Sequence, residues 1–354
     1  MTRKINTKIL LIALFVISAI SLIMCIGIGP VYVGPLTIAK IILSKIPELG
    51  ERIVRTWTAT EETIVLIVRL PRVLLGFCVG CSLAFSGTSM QALVRNELAD
   101  PYILGVSYGA AAFSTAGILL GTFSFLGVYT LAANGCIGAM LSMAFVFIYS
   151  LSKGKVNIDQ LLMGGIAISL FMKAVLKLLI MTNIQAFMHN NTAFWTSGGL
   201  AGTRWPYLTW PILLIVVCFF ILIINYRSLN ALLFGEDTAQ TLGVNVKWMQ
   251  KLLIILTSIM IGMTVSVSGG IGFVGLVAPH VARMLVGGNH KRVFPISAFL
   301  GGIFVLWSDI GARMLFAPEE MSVGIITAII GGPCFIYLLK RKNIRSLKRI
   351  SKSG

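Results

Sequence analysis

The feature that most limits what this chain can fold into is a run of roughly 20 apolar residues, enough for a helix rising 1.5 Å per residue to cross a bilayer core, repeated along the sequence. Candidate runs are Ile9–Ile28, Val73–Val94, Ile103–Leu126, Val128–Leu151, Val156–Thr182, Leu208–Ile224, Leu252–Gly272, Val274–Val286, Val293–Ala312 and Ser322–Leu339. Val274–Val286 is short and follows glycines, which suggests a broken span. Of the 354 residues 57% are hydrophobic and 12% charged, and the mean hydropathy is +0.92. A soluble domain carries about 25% charged residues. The composition therefore excludes a soluble fold, intrinsic disorder, a disulfide scaffold and a collagen-like fibre. It predicts an all-α polytopic membrane protein of about ten transmembrane helices, in one domain over residues 1–354.

An even number of spans puts both termini on one side, and the charges say which. Lys340, Arg341, Lys342, Arg345, Lys348, Arg349 and Lys352 make residues 340–354 a basic tail, predicted to be cytoplasmic, and Arg3, Lys4 and Lys8 agree. With that orientation 19 basic residues fall inside and 8 outside, the latter including Arg69, Arg72, Arg204 and Arg313. An anionic inner leaflet attracts such a tail, so membrane lipid is a predicted partner. The net charge of +17 does not indicate nucleic-acid binding, because no basic folded surface is left to supply phosphate contacts.

The basic, apolar N-terminus could be a cleaved signal, but its run is long and no small-residue cleavage site follows. Met24 is too bulky for a lipoprotein box before Cys25. The reading is a first span starting inside. Cys78 and Cys81 form a C-x-x-C within an apolar run with no histidine or carboxylate nearby, which points to helix packing and not to metal or redox chemistry.

Three segments between runs are informative. Gly29–Thr63 is the longest on the outer side, and Leu36–Ile46 within it reads as an interfacial amphipathic helix. Asn225–Lys251 reads as two short inner helices. Ser228 is placed to cap the first, Gly235 to break the chain, Glu236 and Asp237 to occupy the first turn of the second, and Gly243 to end it. Asn289–Arg292 is a tight basic turn. Gly76/Gly80, Gly117/Gly121, Gly164–Gly165 and Gly301–Gly302 allow close helix approach.

Catalytic signatures are missing. There is no phosphate-binding G-x-x-x-x-G-K-[ST], so the chain does not hydrolyse nucleotide alone, and no H-E-x-x-H or Ser/His/Asp pattern. No cofactor or metal is indicated. His280 follows Pro279 near a membrane boundary and reads as structural. Among acids only Asp159 and Asp309 approach a span, which disfavours ion coupling and places the energy source on another subunit. Lys173 and Lys177 lie within a span, one turn apart on one face, with no acidic partner available in the same helix. They either snorkel to the outer surface or face an anionic substrate.

The segments RLPR (Arg69–Arg72), SGTSMQALVRNELADPYILGVSYGA (Ser86–Ala110), W-x-x-G-G-L (Trp195–Leu200), GEDTAQTLGV (Gly235–Val244), GGIGFVGLVAPHVAR (Gly269–Arg283), SDIGAR (Ser308–Arg313) and IGGP (Ile330–Pro333) resemble the FecCD-type permeases of type II ATP-driven importers. These carry ferric siderophores, haem or cobalamin. Glu97 departs from the proline usual in that family. The resemblance covers nearly the whole chain beyond about residue 60. It implies a ten-helix subunit, pairing with a second permease copy or paralogue, with two ATPase subunits inside and a substrate-binding protein outside. It places a cytoplasmic gate at Asn96, Leu98 and the turn at Ser152. It places ATPase coupling on 229–248, with Leu232, Glu236, Asp237, Leu242 and Gly243. It places binding-protein docking on Arg69, Arg72 and Arg313, with Asp309 one turn away to orient Arg313, and makes Lys173 and Lys177 pathway lining. The implied location is the cell membrane of a bacterium or archaeon. An ion-coupled secondary transporter is the alternative, and it lacks the mid-membrane carboxylates it would need. A membrane-embedded transferase would need clustered acids or histidines, which are also missing.

Overall fold

A computed structural model describes residues 6–47, 50–100, 102, 105–152, 155–183 and 197–350. His189 and Trp195 lie outside the described residues. The chain is helical apart from one two-stranded hairpin among these residues. In order, α1 is Thr7–Gly27, α2 Pro35–Leu43, α3 Ala59–Val94, α4 Val106–Leu120, α5 Thr130–Ser150, β1 Leu151–Ser152, β2 Lys155–Val156 and α6 Ile158–Thr182. They are followed by α7 Pro206–Ile224, α8 Tyr226–Leu232, α9 Glu236–Thr241, α10 Val246–Ser268, α11 Val274–Val286, α12 His290–Met314 and α13 Val323–Ile350. Seven of these are long and apolar enough to cross a membrane. Three more apolar helices are shorter: α4, α11 and the Val323–Tyr337 part of α13.

Asparagine starts every long helix that enters from one end of the bundle. The Asn6 side chain accepts from Lys8 N–H, Asn157 from Asp159 and Gln160 N–H, Asn245 from Trp248 N–H, and Asn289 from Lys291 N–H. Each satisfies amides that the first helical turn leaves without an internal acceptor. This is called the asparagine end below, and the opposite end, which carries Arg69 and Arg313, the arginine end.

The predicted second span begins at Val73, but the helix begins at Ala59 and runs for 36 residues. Thr58 starts it with a reciprocal capping box to Glu61. Ile64–Arg69 is a π segment in which Leu70 N–H reaches back to Val65 O. Pro71, predicted at a helix start, therefore lies inside the helix, and the widened turn just before it accommodates its missing N–H. Arg69 and Arg72 consequently fall within the helix.

The core is set by backbone-close crossings. A Cβ on Gly80 would strike the Gly301 carbonyl, and one on Gly301 would strike that of Gly80, which fixes α3 against α12. Gly87 meets Gly275 in the same way, and Gly109 meets Gly138. Of the predicted Gly117/Gly121 pair, Gly117 packs on Asn134, but Gly121 has φ +64°, ends α4 and has open space around it. Two helices start inside the bundle. Gly105, just before α4, abuts Ile168 and Ser169 in the middle of α6. Gly275, at the start of α11, abuts α3 about two turns from its end. With 13 residues, α11 spans about 20 Å and does not cross the bilayer alone. The Tyr102 hydroxyl accepts from Ile271 N–H at 3.3 Å and ties the two interior turns together.

Gly80→Val should drive α3 and α12 apart and destabilise the detergent-solubilised protein by about 1–3 kcal/mol or more, as overpacked cores do. Gly272→Ala, which meets no atom within 4 Å, should leave the unfolding midpoint unchanged. Thermal unfolding of the two variants checks this.

Candidate functional site

The arginine end is built around buried charge. Arg72 Nε and Nη2 donate to Asp309 Oδ1 at 3.0 and 2.8 Å, and Arg72 Nη1 donates to both Glu320 oxygens at 3.0 and 2.9 Å. The second Asp309 oxygen pairs with Arg313 Nε at 3.1 Å. A continuous chain therefore runs Glu320, Arg72, Asp309, Arg313. The remaining Arg313 nitrogens donate to Ile28 O at 3.1 Å and Cys25 O at 3.0 Å. Arg69 donates to the carbonyls of Ile26, Gly27 and Val31. Two guanidinium groups thus cap the last carbonyls of α1, where a helix accumulates unmet acceptors and negative potential.

The sequence reading puts Arg69, Arg72 and Arg313 on the outer side as docking residues; in the structure the three are 5%, 5% and 3% exposed, and they donate to acceptors within the protein. Because α3 starts at Ala59, Arg69 and Arg72 are part of a packed helix and need protein acceptors in place of water. The predicted i,i+4 contact from Asp309 to Arg313 is present. The three arginines and Glu320 also line a depression of about 200 Å³ with Pro30, Val31, Ile64 and Val68.

At the asparagine end α8 and α9 form the predicted pair of short helices. Gly235, at φ +107°, separates them. Gly243, at φ +80°, ends α9, with its N–H on Gln240 O and that of Val244 on Ala239 O. Glu236 and Asp237 occupy the first turn of α9. Ser228 does not cap α8, which begins two residues earlier at Tyr226. Leu232 is buried in the core and Leu242 is exposed. The outward apolar residues that the sequence reading missed are Leu233, Phe234 and Trp248. They follow Leu232 or begin α10, and only the helical phase distinguishes them from core positions. Leu242, Gly243 and Trp248 line a groove of about 520 Å³ with Arg227, Ser228 and Asn245.

Polar contacts connect this pair to the loop after α3. Glu236 Oε1 lies 3.5 Å from Arg95 Nη2 and accepts from Gln250 Nε2 at 3.2 Å. Glu97 stands 3.8 Å from Arg283 and 3.9 Å from His280, and Arg283 donates to Gln91. Asn230 of α8 accepts from the His290 backbone and ring at the start of α12. Asn96 is exposed, and its side chain accepts from Leu98 N–H at 3.0 Å, closing a turn after left-handed Arg95. Two residues on, Asp100 accepts from Tyr102 N–H at 2.9 Å. Burial pushes the Asp100 carboxyl up to about 6, against the pull of that N–H. Ser152 pairs with Lys155 in the hairpin between α5 and α6.

Lys173 and Lys177 are both exposed on α6, and Lys173 Nζ lies 5.7 Å from the centre of the Tyr108 ring. Among the described residues no group of three His, Cys, Asp or Glu side chains could hold a metal ion.

A bundle of helices long and apolar enough to cross a membrane, with interior half-helices at its centre and a short helix pair at one end, defines a multi-pass membrane protein. The FecCD transport family matches residues 12–341. The hemin transport system permease protein of Yersinia pestis is 40% identical over 292 residues, 80% of this chain and 86% of that protein. The cobalamin import system permease protein of Halobacterium salinarum is 38% identical over 288 residues, 81% and 76% of the two chains. A solved metal-chelate type ABC transporter in an inward-facing conformation aligns with a TM-score of 0.79 at 30% identity, covering 95% of this chain and all of that one. The chain belongs to the FecCD transport family and is a permease subunit of an ABC importer. Membership implies ATPase, binding-protein and permease partners, and ATP hydrolysis resides on the separate ATPase subunit.

Asp309→Ala leaves Arg72 and Arg313 facing each other without their shared acid. It should cost about 3–5 kcal/mol, the usual result of breaking a buried ion pair. Arg72→Lys should not restore full stability, because a single ammonium cannot serve Asp309 and Glu320 in the fork geometry. Thermal unfolding in detergent, at equal protein concentration, reads both.

Proposed function

We infer that this permease carries an iron complex, a ferric siderophore or haem, or cobalamin, delivered by an extracytoplasmic binding protein. The similarity to hemin and cobalamin permeases supports the substrate, and the α8–α9 pair supports ATP-driven coupling. Its breaks, acidic first turn and outward Phe234 and Leu242 suit a small docking element for an ATPase subunit. The asparagine end is then cytoplasmic, with both termini, residues 229–248 and the basic tail 340–354 on that side and about ten spans in one permease domain, 1–354. The setting is the cell membrane of a bacterium or archaeon. Two such permeases, identical or paralogous, pair around the path, with two ATPase subunits below.

In this reading Glu236 and Asp237 receive the ATPase stroke. The Arg95–Glu236 contact passes it to the loop carrying Asn96 and Leu98, which narrow the inner mouth together with the Ser152 turn. The binding protein docks over the depression at the arginine end. There Arg69, Arg72 and Arg313 hold the surface in shape from beneath, and their formal charges exceed those of Asp309 and Glu320 by one.

Gly243→Pro and Glu236→Lys should each reduce ATP-driven uptake at least tenfold while the protein still inserts and extracts normally. Uptake at the unsubstituted rate by both variants would remove α8–α9 from the coupling role. Leu98→Cys should crosslink to the second permease subunit in the resting importer and lose that crosslink when nucleotide is trapped. Gel mobility under oxidising conditions reads the result, and a cysteine at 98 that crosslinks in neither state refutes the gate.

A further inference from the structure

Helix α6 is the least covered of the seven long apolar helices. Only 17% of its most apolar stretch is buried, against 72% for α10. Its buried residues, Leu161, Gly165 and Leu176, fall on one side. Lys173 and Lys177 stand on another stripe with Ile166 and Leu170, at helical spacing. Lipid cannot face this stripe cheaply, because an ammonium in hydrocarbon is among the costliest groups to place there.

The alternative is that both lysines reach up to the far interface. Three observations oppose it for Lys173. The residue lies nine positions before the end of α6 at Thr182, about 13 Å along the axis. Helical side chains tilt toward the N-terminus of their helix, here away from that interface. The ammonium in fact lies 5.7 Å from the Tyr108 ring, in the first turn of α4. That turn begins inside the bundle, where Gly105 abuts Ile168 and Ser169 of α6. The head group thus points toward the middle of the membrane. Among the described residues no carboxylate pairs with either lysine.

We propose that Lys173 and Lys177 form an anion-attracting step on the wall of the translocation path, and that the substrate passing it is a metal chelate bearing carboxylate or other oxyanion groups. This rests on the reading of α6 as pathway lining. Two positive charges on a low-dielectric wall focus the field into the path and raise the local concentration of anions, while an exposed ammonium binds weakly enough to release them. Lys173 is steadied by the face of Tyr108 and needs no acid beside it. A cationic chelate would be repelled at this step.

The test uses the full-length chain in membrane vesicles, with Leu170→Cys as reporter one turn from Lys173 and Phe171→Cys on a different stripe as control. The unsubstituted protein gives the background of its own cysteines. The probes are an anionic and a cationic methanethiosulfonate, and each rate is divided by its rate with a free thiol. The expected result is that position 170 reacts with both, favours the anionic reagent at least tenfold, and loses that preference in Lys173→Gln/Lys177→Gln but not in Lys173→Arg/Lys177→Arg. Raising ionic strength should erode the preference with both lysines in place, a reading that requires no lysine variant to fold. If position 170 reacts with neither reagent, lipid or packed protein covers the stripe and the pathway reading fails. If it reacts with both but shows no charge preference, or a preference that neither salt nor lysine removal alters, the path stands and the anion-attracting step is overturned.

Discussion

The run of charges from exposed Glu320 through buried Arg72 and Asp309 to buried Arg313 is the constraint on which the arginine end depends. It joins α3, α12, the segment before α13 and, through the carbonyls of Cys25 and Ile28, the end of α1. Each guanidinium has left water, and only a full set of acceptors offsets that loss. Arg69 repeats the device on the next carbonyls of α1. Four segments therefore meet in one geometry, because any other leaves a charge unpaired. This also removes an oddity of the charge pattern. Three of the eight basic residues predicted outside do not compete in the distribution of loop charge, since they are interior cations with interior partners.

The opposite end carries longer ion pairs beside its hydrogen bonds. Glu236 reaches Arg95 at 3.5 Å and Glu97 reaches Arg283 at 3.8 Å, distances of ion pairs and not of tight hydrogen bonds. Both acids are partly exposed. The glycine crossings between the ends, Gly80 on Gly301 and Gly87 on Gly275, are in contrast backbone against backbone and cannot yield without separating helices. One end is clamped by buried charge, the middle is stiff, and the other end is joined by longer ion pairs together with the hydrogen bonds from His290 to Asn230.

Much of this was legible in the sequence. Apolar runs of the right length gave the helices, and Gly235 and Gly243 gave the breaks of the α8–α9 pair because their conformations, at positive φ, strain other residues. The short run Val274–Val286 was readable as a partial span from its length alone. Other features depended on information that local patterns do not hold. The start of α3 at Ala59 was hidden by Pro71, a residue that signals a helix start unless a π turn precedes it. The arginines looked exposed because Arg72 has no acid within several residues, and its partners lie 237 and 248 positions away. Leu232, buried, and Leu242, exposed, look alike in the sequence because leucine has no marker for facing inward. One local signal was overlooked: Asn6, Asn157, Asn245 and Asn289 each stand at a helix start on the same side.

The separation of Arg72 from its counter-ions has a consequence for how the chain is made. Synthesis proceeds from the N-terminus at about 5–20 residues per second, so the 237 positions between Arg72 and Asp309 take on the order of 10 to 50 s. The acids that receive Arg72 are thus made well after the helix that carries it, whereas the α1 carbonyls that receive Arg69 are made before it.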